Sequence, residues 1–234
     1  NNKELKIFLE DPYLNDFKDD IYLRINRYEE KKAQLLNRKR KLKSVANFHE
    51  YYGFHRNRQG FVYREWAPNA DEVFLSGDFN NWELLPLIRN ENGDFEVQIN
   101  GQKTLPHNSR IKTVIRKDGV DSYKVPMFIH KVRQELNENG IYDFYGIIEN
   151  APSKYRFKNN FKVSENFNPY IYETHIGIAQ EKEDIGTYEE FLDILPRIKD
   201  LGYNAIQIMA IASHAYYGSF GYHVTNFFAA SHWF

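Results

Sequence analysis

The sequence contains no cysteine. That excludes a disulfide framework and any thiol chemistry. It has no surplus of either charge: 31 Lys and Arg against 32 Asp and Glu leave a formal net charge of −1. A chain so balanced exerts no bulk pull on nucleic acid or on an anionic membrane, and neither partner is expected. No apolar run approaches the ~20 residues that span a bilayer. The opening Asn1-Asn2-Lys3-Glu4-Leu5-Lys6 lacks the apolar core of a signal peptide. The expected setting is reducing and cytoplasmic. There is no glycine-rich phosphate loop, and His49, Glu50 and His55 do not have the spacing of a zinc-protease motif. No metal and no cofactor is expected.

Aromatic residues, by contrast, are plentiful: 17 Tyr and 18 Phe raise their share to 16%. Aromatic rings stack on the apolar faces of sugars, and they also fill β cores, so composition leaves both uses open. The most informative stretch runs from Asn204 to Phe228. Ala205 to Ala210 is a short apolar run, preceded by a helical pattern and followed by polar, glycine-containing sequence. That is the pattern of a buried parallel strand. Beyond it Ser213, His214, Tyr216, Tyr217, Ser219, Tyr222 and His223 crowd a segment punctuated by Gly218 and Gly221. A loop of this kind at the carboxyl end of a strand is where barrel and open α/β enzymes hold ligands, and it is also what a packed aromatic loop looks like.

Taken in order, the chain changes character three times. Residues 1–50 read as a helical segment. Asp11-Pro12-Tyr13-Leu14 opens it as a turn, and Ile21, Ile25, Tyr28 and Leu35 recur at roughly helical spacing from about Phe17 to Asn37. The basic run Arg38 to Lys43 reads as a solvated helix end. Residues 51–150 switch to period-two alternation: Phe95, Val97 and Ile99 against Glu96, Gln98 and Asn100, then Ile111, Thr113 and Ile115 against Lys112 and Arg116. Turn signals stand at Asn80-Asn81, Asn92-Gly93, Asn100-Gly101 and Asp118-Gly119. Short strands at this spacing predict an all-β, immunoglobulin-like sandwich. Trp66, in an alternating strand beside Pro68, reads as core or interface packing. Trp82 sits at a turn beside Asn80 and Asn81, where an exposed indole and neighbouring amides could take a sugar ring. Residues 151–168 are polar and basic and read as a linker. From 169 a strand (Tyr170 to Gly177), a helix and the 205–210 strand form one right-handed βαβ unit, the repeating piece of a (β/α) barrel. Thr187 and Glu190 make a capping box for the helix, Phe191, Ile194, Leu195, Ile198 and Leu201 line its face, Pro196 is expected to kink it or end its first segment, and Gly202 stops it.

Three segments together resemble one family. Ile171-Tyr172-Glu173-Thr174-His175-Ile176-Gly177, Leu195 to Asn204, and Tyr216-Tyr217-Gly218-Ser219-Phe220-Gly221-Tyr222-His223-Val224-Thr225-Asn226-Phe227-Phe228 are similar, in turn, to the first barrel strand, the segment before the second and the segment after the second in the 1,4-α-glucan branching enzymes of glycoside hydrolase family 13, eukaryotic type. Tyr63 to Ala70 and Val73 to Trp82 resemble carbohydrate-binding module family 48. The resemblance runs from about Leu9 to Ser231. It implies the N-terminal part of a multidomain enzyme: helical segment, sandwich module, then the first βα units of a (β/α)8 TIM barrel. It implies that α-1,4 links of a glycogen- or amylose-type glucan are cut and re-formed as α-1,6 branches with retention, which takes two carboxyl groups about 5 Å apart. In the family these come from the fourth and fifth barrel strands, and the Asp-x-x-x-Asn-His motif also lies beyond the second. None of these is found here, so no catalytic residue is assigned and a 234-residue polypeptide is expected to be inactive alone. The resemblance implies sugar contacts for Tyr222, His214 and Tyr217 at the barrel rim, and for Trp82, Asn81 and Lys112 on the module. The chain departs from the family where Ser213 replaces an acid, where His232-Trp233-Phe234 replaces the usual continuation, and where the module's second surface Trp is missing, Tyr123 being the nearest aromatic. The alternatives are a glucan-binding module without activity and another family 13 enzyme, such as a debranching enzyme.

Overall fold

The computed structural model describes residues 5–36, 41–151 and 155–234. It divides into two compact units, Asn1–Glu50 and Tyr51–Phe234. In the first, α1 (Ile7–Glu10) leads through a 3-10 turn, Pro12–Phe17, into α2 (Lys18–Leu36). Asp11 explains the turn: its carboxylate accepts the Tyr13 N–H at 3.1 Å, and Pro12 takes the first position, where no N–H is needed. Phe8 is buried against Tyr22 of α2, with ring centroids 5.7 Å apart. Of the basic run, Arg38 to Arg40 lie outside the described residues, while Leu42–Ser44 form a 3-10 turn.

The second unit begins with ten strands: β1 (Gly53–Arg56), β2 (Gly60–Glu65), β3 (Glu72–Gly77), β4 (Leu85–Pro86), β5 (Ile88–Arg89), β6 (Phe95–Asn100), β7 (Arg110–Lys117), β8 (Val120–Lys124), β9 (Val132–Leu136) and β10 (Tyr142–Ile147). They form two antiparallel sheets, β1-β2-β6-β5 and β4-β3-β7-β10-β9, with β8 hairpinned onto β7. Phe61, Tyr63, Phe95 and Ile99 of the first sheet meet Val73, Leu75, Ile111 and Val132 of the second in one core. This is the sandwich that the alternation predicts. β7 is buried on both faces over Ile111–Val114, so Lys112, placed on the polar side by the pattern, is itself buried. Between the sheets Tyr63 donates to Glu65, and its hydroxyl lies 2.8 Å from Thr113 Oγ1. Trp66 departs from the core half of the expectation, core or interface packing. It follows the end of β2, stays 54% exposed, and walls a cleft with Met127, Asn226 and Phe227 instead of entering the core.

After an irregular stretch over 155–170 come β11 (Ile171–His175), α3 (Tyr188–Asp200) and β12 (Ala205–Met209), with β11 and β12 parallel and in register from Ile171↔Ala205 to His175↔Met209. The capping box is formed in both directions: Glu190 N–H to Thr187 Oγ1 at 3.2 Å, Thr187 N–H to the Glu190 carboxylate at 2.8 Å. Phe191 and Ile198 bury their side chains against Ile176. The helix runs through Pro196 as a single element and stops at Gly202, whose φ is +90. Two expectations fail here. β12 is parallel but not buried: Ile206 and Met209 are each 38% exposed, because a two-stranded sheet covers only part of each strand. The segment after it is not all loop, since β13 (Ala212–His214) pairs antiparallel, through register shifts, with β14 (Val224–Ala230). β14 lies on the sandwich. Ala229 joins the sandwich core, Phe228 packs on Phe128 at 4.6 Å, and the buried Asn226 amide donates to Pro126 O at 3.1 Å.

Candidate functional site

Two places gather the residues that the sequence singles out. The first is a groove of 620 Å³ on the sandwich, lined among others by Trp82, Arg110, Lys112, Tyr123, Asn139 and Tyr145. Its central ring is held by an unusual backbone. After the 3-10 turn Asp78–Asn80 the chain passes through two left-handed residues, Asn81 (φ 55) and Trp82 (φ 64). A positive φ at a bulky residue persists only where its surroundings over-determine it. Here Trp82 N–H donates to Gly77 O at 2.9 Å, its carbonyl accepts from Ser76 Oγ at 2.9 Å, and its indole N–H donates to Asp78 Oδ1 at 3.1 Å. Asn80 accepts from Gly77 N–H and donates to Glu83 O, so its amide is committed to the loop, while Asn81 stays exposed.

Arg110 locks the groove floor. Its backbone N–H and guanidinium both donate to Asp78, and the guanidinium lies over the Trp82 ring at 5.5 Å and the Tyr145 ring at 5.4 Å. Lys112 pairs with Asp143 and sits 4.7 Å over Tyr145. Burial alone would raise the pKa of Asp78 and of Asp143, but their donors, Arg110 and Lys112 foremost, outweigh it and hold both below the ordinary carboxylate value. Arg110, Lys112, Asp78 and Asp143 thus pair with one another, leaving ring surface bordered by Asn137, Asn139 and Glu138. That suits a neutral polyhydroxylated ligand better than an ionic one. Trp82, Lys112 and Tyr123 all line this groove. Arg110, Asp78, Tyr145 and Asp143 were missed, because the contacts that bring them to the groove, such as Arg110 with Asp78 and Lys112 with Asp143, span 32 and 31 positions.

The second place is the carboxyl end of β11 and β12. His175 closes β11 and His214 closes β13, and both are buried, 3% and 0% exposed. The Phe234 ring lies against His175 (5.1 Å), His214 (6.0 Å), Tyr188 (5.8 Å) and Tyr217 (6.4 Å). His214, expected at a barrel rim, is instead fully buried, covered by Phe234 and by Trp233, whose indole donates to His214 O at 3.1 Å. Tyr217 is half-buried, and Tyr222, at 86% exposure, stands in the open past the left-handed Phe220 and Gly221. Ser213, where an acid was expected, is buried and lies 3.0 Å from the Thr225 hydroxyl. Glu173 accepts from its cross-strand partner Gln207 at 3.1 Å. Among the described residues no cluster of three or more His, Cys, Asp or Glu could hold a metal ion, and no helix is long and apolar enough to cross a membrane.

Residues 51–129 match carbohydrate-binding module 48, the isoamylase N-terminal domain. The 1,4-alpha-glucan-branching enzymes of Dictyostelium discoideum and Felis catus are each 40% identical to the chain over 97% of its length. The chain is similar to a family 48 module over residues 51–129 and to the branching enzymes over nearly all its length. It spans about a third of these relatives, 34% of each. A plant branching enzyme, 2-2 of Arabidopsis thaliana, chloroplastic/amyloplastic, is 38% identical over 97% of the chain and 29% of its own length. Among solved structures, the pullulanase SAP of GBS in complex with maltotetraose superposes with a TM-score of 0.58 at 20% identity, covering 77% of this chain and 28% of that one. A putative alpha amylase of Salmonella typhimurium gives 0.61 at 18%, covering 78% and 28%. At such identities the likeness is one of fold. The module match takes in Trp82, Arg110, Lys112 and Tyr123 but stops before Asp143 and Tyr145. The branching-enzyme likeness extends on over nearly the whole chain.

Proposed function

We propose that the chain is the N-terminal part of a 1,4-α-glucan branching enzyme. Residues 51–150 act as a module that gathers linear α-1,4-glucan, and residues 169–234 begin a (β/α)8 barrel whose rim receives the same glucan. The reading rests on one observation above the others: an over-determined Trp82 shares a groove with Tyr145, Tyr123 and Lys112, on a chain 40% identical to branching enzymes along 97% of its length. The indole and phenol rings, edge to face with centroids 5.7 Å apart, supply apolar surface for a sugar ring, and the amides at the groove edge supply hydroxyl partners. Asn81 belongs to this edge. At the barrel end, exposed Tyr222 is the ring best placed to meet a sugar, while Tyr217 is half-buried and His214 lies under Phe234.

A second reading, a glucan-binding polypeptide without catalysis, is favoured by the acids. Retention requires two carboxyl groups, whereas β11 to β14 carry Glu173 alone, tied to Gln207. Both readings predict binding, and they part on turnover. Titration of the 234-residue polypeptide with maltoheptaose is expected to show millimolar-range binding that Trp82→Ala weakens roughly 2- to 10-fold, from a stacking contribution of about 0.5–1.5 kcal/mol. Equal binding by both proteins removes the groove from the proposal. Iodine staining of amylose and detection of new α-1,6 links are expected to be negative for this polypeptide and positive for a version that carries the whole barrel with both carboxylates. Branching by the 234 residues themselves would place the chemistry at Glu173.

A further inference from the structure

Buried polar atoms are nearly always hydrogen-bonded, so each exception calls for an explanation. Among the described residues three buried side-chain atoms have no partner: His175 Nε2, His214 Nε2 and Ser219 Oγ. They are not scattered. His175 and His214 flank the same Phe234 ring, and Ser219 lies on the turn whose Tyr217 and Phe220 touch the His175 ring.

The backbone dictates the protonation of both rings. His175 Nδ1 receives the Gly177 N–H at 3.1 Å, so that nitrogen offers a lone pair and the ring proton sits on Nε2. His214 Nδ1 faces the Ala212 carbonyl at 2.9 Å, which can only accept, so that nitrogen carries the proton and Nε2 is left with a lone pair. The orphaned atoms are thus a donor on His175 and an acceptor on His214. Burial, with His214 as neighbour, lowers the His175 pKa and keeps the ring neutral at physiological pH. A metal ion does not fit, because His175 has no lone pair left for it. A hydroxyl group fits: its oxygen accepts from His175 while its proton goes to His214.

We propose that His175 and His214 form a donor–acceptor pair that binds one hydroxyl group behind Phe234. The group is an internal water or a hydroxyl of the glucan reached when Phe234 moves aside. The glucan source rests on the function proposed above, and the water source does not. Ser219 Oγ, which can donate or accept, stands at the same loop for a second contact.

The test has two readouts on the 234-residue polypeptide. Long-range 1H–15N correlation spectra of the wild type are expected to show His175 with its proton on Nε2 and His214 with its proton on Nδ1. Two histidines in the same tautomer, or either one doubly protonated at pH 7, overturn the proposal without any variant having to fold. Then His175→Phe, His214→Phe and the double variant form a cycle, read by urea unfolding and by maltoheptaose affinity. A hydroxyl bridge makes the double loss smaller than the sum of the single losses by about 3- to 10-fold in the equilibrium constant. Coupling in unfolding alone identifies water, and coupling in affinity identifies a sugar hydroxyl. Additivity in both readouts overturns the bridge, even if the chain binds maltoheptaose normally through Trp82. Should the Phe variants fail to fold, His175→Gln, which keeps a donor near Nε2, is expected to retain the stability that His175→Leu loses, and equal loss by the two again overturns the bridge.

Discussion

At the scale of single residues the sandwich carries its own pH sensor. Glu65 is buried, and burial raises its pKa above the ordinary carboxylate value despite hydrogen bonds from Tyr63, Trp66 N–H and Thr113. The folded state therefore holds the Glu65 proton to a higher pH than the unfolded chain does. Stability from this group is complete below about pH 4.5, the unfolded value, and falls as pH rises through the folded pKa. Asp78 and Asp143 act in the opposite sense, stabilising above their unfolded value and losing that support in acid. Urea midpoints measured from pH 5 to 8 are expected to slope less steeply downward in Glu65→Gln than in the wild type. Identical slopes would mean that Glu65 is ionised in both states across that range. None of this was legible from sequence, where Glu65 reads only as the polar partner of an alternating strand. Its burial is set by β7, and Thr113, which meets it across the sheets, lies 48 positions away.

At the scale of elements, legibility follows locality. The capping box at Thr187 and Glu190, the stop at Gly202 and the turn at Asp11-Pro12 are contacts between residues within four positions, and each stands where the local pattern puts it. β12 was placed correctly as a parallel strand, yet its depth was misjudged, because an apolar run encodes a preference for burial while burial itself needs layers on both faces. The β13–β14 pair was hidden by its bulged register and by aromatic residues that read equally well as loop. Trp82 was picked out as a binding residue, while the left-handed pair that aims it, and the Arg110 that seats it, depend on partners from other strands. For α3, Thr187→Ala removes one arm of the box and is expected to cost about 1 kcal/mol. Amide exchange is expected to accelerate in the first turn, at Glu189 and Glu190, more than at Ile198. Equal protection in both proteins would assign the helix start to packing by Phe191 instead.

At the scale of the whole second unit, the decisive feature is the seam made by β14. The buried Asn226 amide donates to Pro126 O and accepts from Phe228 N–H at 3.1 Å, Phe228 packs on Phe128, and Ala230 bridges to Lys131. Asn226→Ala leaves two backbone groups without partners, for an expected loss of about 1–3 kcal/mol. Exchange is expected to quicken together in 126–132 and in β14 while β2 and β6 keep their protection, and a uniform change over the unit would mean that the seam is no separate entity. Ala229, 3% exposed in the sandwich core, also bears on how the chain is made. The strands it closes over, ending with Ile147, are complete about eighty residues before it. At roughly 5–20 residues per second, a ribosome takes on the order of 4–16 s to supply that last piece. During those seconds the sandwich core lacks the strand that Ala229 brings to it, a window in which a chaperone, or the matching edge of another nascent copy, competes with the chain's own closing strand.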